Sequence, residues 1–268
     1  MISQLIRRVL VGILLPAVWM SAAGEARAAE PGDLLVVLGD EAAGWRATRG
    51  WLARLVREGG GAWRFDGAPV RVWLGAVGLG WGRGDHDDRA WRGAAPAGPT
   101  KREGDGRTPA GLFSLGEVTG YAAAPPPGTT LPYREASPTL RCVDDPEAPA
   151  YNTLVDEPAA GPAWRSAEVM RRADALYTWT IYVKHNIPAQ RGAGSCIFLH
   201  VAGGAPTAGC VALDEPTLRA LLARVRPSTR ALILPAAAYT RLRAGGRLSA
   251  LGPLPAASAI TAARGSGG

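Results

Sequence analysis

The sequence predicts a mostly-β single domain of two packed sheets with one or two short helices. Three observations carry that expectation. Apolar runs of strand length recur along the chain, 35 glycines and 22 prolines punctuate them with turns, and only one segment shows a clear helical period. The chain has 268 residues, 47% hydrophobic and 20% charged, so it can bury a core and is too apolar to be disordered throughout.

Taken in order, Leu34 to Leu38 is an apolar run stopped by Gly39-Asp40, as for a buried strand. Trp51 to Arg57 suits strand or helix, and Gly59-Gly60-Gly61 followed by Ala62 to Phe65 favours a hairpin. Val70 to Val77 is a further strand, leading into Gly78-Leu79-Gly80-Trp81-Gly82, where glycine suits close backbone packing. Residues 83–100 read as polar loop, Lys101 to Leu115 as ordered chain, and Tyr121 to Asn152 as loop stiffened by Pro125-Pro126-Pro127. Trp45, Trp51, Trp63, Trp73 and Trp81 are expected in the core.

Tyr177, Trp179, Ile181 and Val183 alternate with Thr178, Thr180, Tyr182 and Lys184, which predicts a strand with one exposed face. Ser195 to His200 is apolar on both faces and so reads as central, with Cys196, Phe198 and His200 on one side. Cys210 to Leu213 is a short third strand. Asp214 then caps a helix whose Leu218, Leu221, Leu222 and Val225 fall at i, i+3, i+4 and i+7. Ala231 to Leu234 closes the domain as the last strand.

The two ends read differently from this domain. Arg7 and Arg8, the uncharged run Val9 to Gly24 and the small-residue site Ala26-Arg27-Ala28 have the layout of a secretory signal over 1–28. An uncleaved N-terminal anchor is the alternative, although the run is short for a membrane span. The domain then occupies 29–235, and 236–268, rich in Ala, Gly, Ser, Pro and Arg, reads as a poorly ordered tail. Export places the protein in the periplasm or cell envelope, with no stable membrane span after processing. The net charge of +7 is spread thinly, without the basic block a nucleic-acid arm needs. There is no G-x-G-x-x-G or P-loop pattern, and neither a cofactor nor a metal is expected.

Three cysteines are present: Cys142, Cys196 and Cys210. An odd count in an exported protein leaves at least one thiol unpaired within the chain. The acidic neighbours Asp144 and Asp145 oppose a thiolate at Cys142, and the apolar run around Cys196 makes that thiol inert. Cys210 follows the turn Thr207-Ala208-Gly209, ten residues after His200, and is the best candidate nucleophile. The odd count motivates one further expectation, a Cys142–Cys196 disulfide. If the two strands are neighbours, the His200 imidazole meets the Cys210 thiol and lowers its pKa. Gly209 lets a carbonyl approach, and the Cys210 N–H with one from the preceding turn would hold an oxyanion. Asp85-His86-Asp87-Asp88 reads as solvated loop, not as a metal cluster.

The segment from His200 through Thr207-Ala208-Gly209-Cys210-Val211 resembles the signature of the L,D-transpeptidase (YkuD-type) catalytic domain, a strand-end His before a Ser/Thr-x-Gly-Cys turn. Lys101 to Phe113, containing Asp105-Gly106-Arg107-Thr108-Pro109-Ala110-Gly111, resembles the same family's K-x-x-D-G-x-T-P-x-G-x-F run. The resemblance covers roughly 70–235. It implies an L,D-transpeptidase-like β-sandwich and an exported peptidoglycan enzyme. Cys210 would form a thioester with a stem tetrapeptide, releasing D-Ala, and pass the acyl group to an amine on a neighbouring stem or an envelope protein. His200 would be the base, the Val201 carbonyl would orient its ring, Thr207 would brace the turn, and Lys101 to Phe113 would serve as scaffold, with a turn at Thr108-Pro109.

The family commonly has His before the Gly-Cys and Arg two residues after the Cys; here these are Ala208 and Ala212. Arg191, Arg102 and Lys184 are the candidates to replace that charge. His185-Asn186, beside Ile187-Pro188, reads as a turn, with a place on the substrate-cleft rim as the alternative. Two other functions remain open on the sequence: a same-fold hydrolase (L,D-carboxypeptidase or wall amidase), and a non-catalytic peptidoglycan-binding domain.

Overall fold

The computed structural model describes residues 32–57 and 61–251, so the expected export signal lies outside the described residues. Strands account for 33% and helices for 14% of the described residues, the mostly-β balance the turn-rich composition predicts. β1 (Asp33–Gly39) pairs antiparallel with β2 (Arg49–Val56) along its whole length, from Asp33↔Val56 to Gly39↔Gly50. β2 also pairs with β3 (Arg64–Phe65), the expected hairpin, and with β4 (Val70–Trp73). Then come β5 (Leu79–Trp81), α1 (Asp88–Ala94) and the long β6 (Thr108–Gly120). The short strands β7 (Tyr133–Glu135), β8 (Leu140–Val143), β9 (Leu154–Asp156) and β10 (Ala167–Val169) follow. β11 (Trp179–Val183), β12 (Phe198–Val201) and β13 (Val211–Leu213) lead to α2 (Glu215–Leu222), β14 (Arg230–Pro235) and α3 (Ala236–Ala244).

The large sheet runs β1-β14-β6-β11-β12-β13-β4-β2-β3, and because β2 also pairs with β1 it closes on itself. Its halves face each other across one core, where Leu35, Leu74, Phe113, Ile181, Leu199 and Leu213 are fully buried. A second sheet, β10-β8-β9, covers part of the outer surface of β11 and β12. Leu140, Cys142 and Met170 pack there against Tyr182, Phe198 and Cys210. The Cys142–Cys196 disulfide ties this small sheet to the segment entering β12, as the odd cysteine count suggested.

That second layer explains one difference from the sequence reading. β11 alternates as expected, with Trp179, Ile181 and Val183 in the main core, but Thr180 and Tyr182 are buried too. No face of it is exposed, because the small sheet and its loops cover the side that alternation assigns to solvent. Tyr177 precedes the strand and packs in the outer cluster, not with Trp179. β12 starts at Phe198, so Cys196 lies before the strand, with a φ of +53°, and packs with Phe198 in the outer cluster.

Other differences are local. Residues 83–100 contain α1, which Asp87 caps by accepting the Ala90 N–H at 3.0 Å and Trp91 anchors in the core. His86 is not solvated. Its side chain is fully buried among Trp81, Trp91 and Phe113, and Nδ1 accepts the Leu112 N–H. Tyr121 to Asn152 contains two short strands, β7 and β8, and Thr108-Pro109 lies inside β6, not in a turn. Trp81 is buried beside Trp45, whereas Trp51 and Trp73 are half-buried under the guanidiniums of Arg71 and Arg49. Those Arg–Trp pairs are cross-strand neighbours, Trp51↔Arg71 and Arg49↔Trp73, on β2 and β4. The tail begins later than expected, since Ala236, Ala238, Tyr239 and Leu242 are buried along α3. Alanine contacts give a helix little hydrophobic contrast, which hides its period.

Candidate active site

β12 and β13 run parallel, with Leu199↔Val211, His200↔Ala212 and Val201↔Leu213 as partners. Alternation sends Leu199, Val201, Val211 and Leu213 into the main core, and Phe198, His200 and Cys210 to the other face. His200 and Cys210 thereby line one cavity of about 520 Å³, under the edge of the small sheet.

Cys210 is the free thiol and is 5% exposed. Its Sγ accepts the Phe198 N–H at 3.3 Å and faces the Cys196 carbonyl at 3.6 Å. The turn before it is held by hydroxyls. Thr207 Oγ1 donates to the Cys210 carbonyl at 2.7 Å and accepts the Gly209 N–H at 3.1 Å. Thr108 Oγ1, reaching over from β6, donates to the same carbonyl at 3.1 Å and accepts the Gly75 N–H. Gly209 has a φ of +154°, and a Cβ there would press on the Arg107 carbonyl at 3.0 Å, so the position favours glycine. Since Thr207 engages the Gly209 N–H, that group is not free to serve an oxyanion.

His200 Nδ1 donates to its own neighbour's carbonyl, Val201 O, at 2.8 Å. That bond places the proton on Nδ1 and leaves Nε2 with a lone pair. Burial holds the imidazole pKa below its usual value, with the Arg172 charge adding to the effect and the Val201 carbonyl opposing it. Burial also pushes the Cys210 thiol well up, and the Glu168 carboxylate adds to this. The expected thiol activation by an imidazolium is therefore not the resting state. Thiol and imidazole are both neutral at pH 7, because the cavity is too dry to favour two separated charges.

The family model of the YkuD L,D-transpeptidase catalytic domain matches residues 52–233. The chain belongs to this family. The match begins within β2, takes in the two motif segments and ends within β14. No curated protein and no solved structure matches the chain.

Within this YkuD domain, the structure brings together Cys210, His200, Gly209, Thr207 and Val201, and it separates the other three residues singled out in the sequence. His185 is a buried brace: Nδ1 accepts the Arg83 N–H at 3.2 Å, and Nε2 donates to the Ala193 carbonyl at 3.0 Å. Burial lowers its pKa to about 4. Asn186 is fully buried, with Nδ2 donating to the Gln190 and Gly194 carbonyls. Arg191 is exposed and pairs with Glu147 at 2.8 Å. None of the three lines the cavity with Cys210. Lys184 and Arg102 lie at other surface hollows as well.

The cations that do line the cavity are Lys101 and Arg172. Lys101 is buried and committed to Asp105 at 2.7 Å, which fits the scaffold role of its motif. Arg172, exposed and paired with Asp174 at 2.7 Å, stacks over Tyr177 and is the charge that sequence reasoning missed. Glu168 and Tyr177 were missed too. Neither carries a local signal: β10 is three residues long, and Tyr177 looks like one more apolar position of β11. Among the described residues, no group of three or more His, Cys, Asp or Glu is placed to hold a metal ion.

Proposed function

We propose that this YkuD domain is an exported cysteine L,D-transpeptidase of the periplasm or envelope that acts on peptidoglycan stem peptides. The observation that carries the reading is that a free Cys210 thiol lines the same cavity as a neutral His200, whose Nδ1–H is tied to Val201 O. The Cys142–Cys196 disulfide supports an oxidising compartment. Among the described residues, no helix is long and apolar enough to cross a membrane.

In this mechanism, His200 Nε2 takes the thiol proton as Sγ attacks the carbonyl that joins the third residue of a tetrapeptide stem to its D-Ala. The oxyanion forms beside the Cys210 N–H. When the C–N bond breaks, His200 returns its proton to the leaving amine and D-Ala departs, leaving a thioester on Cys210. An acceptor amine, from a neighbouring stem or an envelope protein, then attacks the thioester and loses a proton to His200. Sγ leaves as a thiolate and recovers that proton. Coupling proton transfer to attack avoids a resting ion pair, which the buried thiol disfavours.

The test is incubation of the processed protein with tetrapeptide muropeptides, with products followed by liquid chromatography–mass spectrometry. D-Ala release with a joined dimer, both abolished in Cys210→Ser, is the expected result. Release without joining would make it a hydrolase. Wall binding that survives Cys210→Ser, with no release, would make it a binding domain.

A further inference from the structure

Glu168 and Tyr177 share the cavity with the nucleophile, and the steps above use neither. Glu168 sits on β10 opposite Cys142, so the disulfide-linked strand holds its carboxylate over the site. The Tyr177 hydroxyl donates to Glu168 Oε2 at 2.5 Å. The Tyr177 ring, 6% exposed, meets His200 edge-on with centroids 5.3 Å apart, and Phe198 flanks it at 5.8 Å. Tyr177 and Cys210 line the same cavity and belong to the same buried cluster, and a hydrogen bond from the Tyr177 hydroxyl to the thiol sulfur would favour the thiolate.

A phenol has one proton to give. While Glu168 is ionised, that proton is committed to the carboxylate, and the negative charge opposes a thiolate at Cys210. When Glu168 is protonated, its own O–H can donate to Tyr177 Oη, and the phenol O–H is released toward Cys210. The exchange takes up one solvent proton at Glu168 and breaks no covalent bond. We propose that Glu168 is a positioning residue for the reaction, directing the single hydroxyl proton of Tyr177 either to itself or to the nucleophile.

The charges around Glu168 come from every side of the cavity. Asp144, after β8, and Glu103, before β6, disfavour its ionisation; Arg172, after β10, favours it. Asp144 Oδ1 is buried without a hydrogen-bond partner, and Glu103 is shared between the Tyr151 and Ser195 hydroxyls. The Lys101 ammonium is committed to Asp105, and His200 is neutral. Burial, reinforced by Asp144, raises the Glu168 pKa to about 7, so the switch falls within the working range of a His–Cys pair.

This inference rests on Cys210 being the nucleophile, and its test needs no peptide substrate. The rate of Cys210 alkylation by iodoacetamide is followed by intact mass from pH 6 to 9, without reductant so that the disulfide stays closed. Wild type should show a log rate that rises less than tenfold per pH unit near pH 7, because ionisation of Glu168 withdraws the phenol proton as the thiol begins to ionise. Glu168→Gln, whose amide donates to Tyr177 as the protonated acid would, should rise smoothly and react roughly tenfold faster than wild type at pH 8.5, as for a thiol pKa one unit lower. Adding Tyr177→Phe should abolish that gain. Parallel profiles for wild type and Glu168→Gln would overturn the proposal. So would a gain that persists with Tyr177→Phe, since charge alone would then explain it, or no alkylation of wild type at any pH. Thermal unfolding checks that each variant folds. If Glu168→Gln does not, the wild-type inflection and its loss in Tyr177→Phe decide.

Discussion

Reducing the Cys142–Cys196 disulfide should destabilise the domain sharply. The bridge closes a loop across a sequence separation of 54. Chain-entropy reasoning for a loop of that size gives a stabilisation of about 4 kcal/mol. For a domain of this length that corresponds to a fall in Tm of roughly 8–16 °C. The loop runs from the end of β8 through β9, β10 and β11, so the loss should fall mainly on the small sheet roofing the cavity. The assay is calorimetry of the oxidised and dithiothreitol-reduced protein, with a Cys142→Ala/Cys196→Ala variant as the control that reductant cannot alter. Alkylation of the denatured, unreduced chain should label one thiol, and after reduction three. A fall in Tm below about 2 °C, with labelling confirming the bridge, would refute the reasoning: the small sheet would then be held by packing alone, and the unfolded chain would gain little freedom when the link is cut.

Three further outcomes follow from the site. Thr207→Val removes one of the two hydroxyls on the Cys210 carbonyl and strands the Gly209 N–H, a loss of about 1–3 kcal/mol; thioester formation should slow at least tenfold, and a rate within twofold of wild type would remove Thr207 from the turn's support. Arg172 lowers the His200 pKa, so Arg172→Ala should move the rising limb of kcat/KM to higher pH and raise KM for carboxylate-bearing stems; a profile identical to wild type counts against both effects. His185 titrates near 4 in the fold and near 6.5 when unfolded, so below pH 6.5 the unfolded chain binds the extra proton. Stability should therefore be fully present above pH 6.5 and fall by about 3 kcal/mol as pH drops to 4, read by urea unfolding; a flat response in that window would mean that His185 is not held neutral.

Much of this protein was accessible from local sequence. The strand-end His200, the Thr207-Ala208-Gly209-Cys210 turn and the Asp214-capped α2 are short-range features, set by turn chemistry, capping and period. The motif spacing also carried the family, because a nucleophile turn and a β6 scaffold must both be present for one to brace the other, as Thr108 does at the Cys210 carbonyl. Local pattern failed wherever burial came from a distant layer. β11 is covered by the small sheet, His86 by an aromatic cluster and α3 by β14 and β1. His185, Asn186 and Arg191 lie close to β11 in sequence, yet the chain turns them away from Cys210 into loop bracing and a surface ion pair. Which polar groups share the thiol's cavity was a tertiary decision: Arg172, Glu168 and Tyr177 come from β10 and the loop after it, and line that cavity because the disulfide-linked sheet folds over β12. The electrostatic state of the site follows from that covering as well. The residue types alone suggest an activated thiolate–imidazolium pair, but desolvation under the small sheet makes both partners neutral.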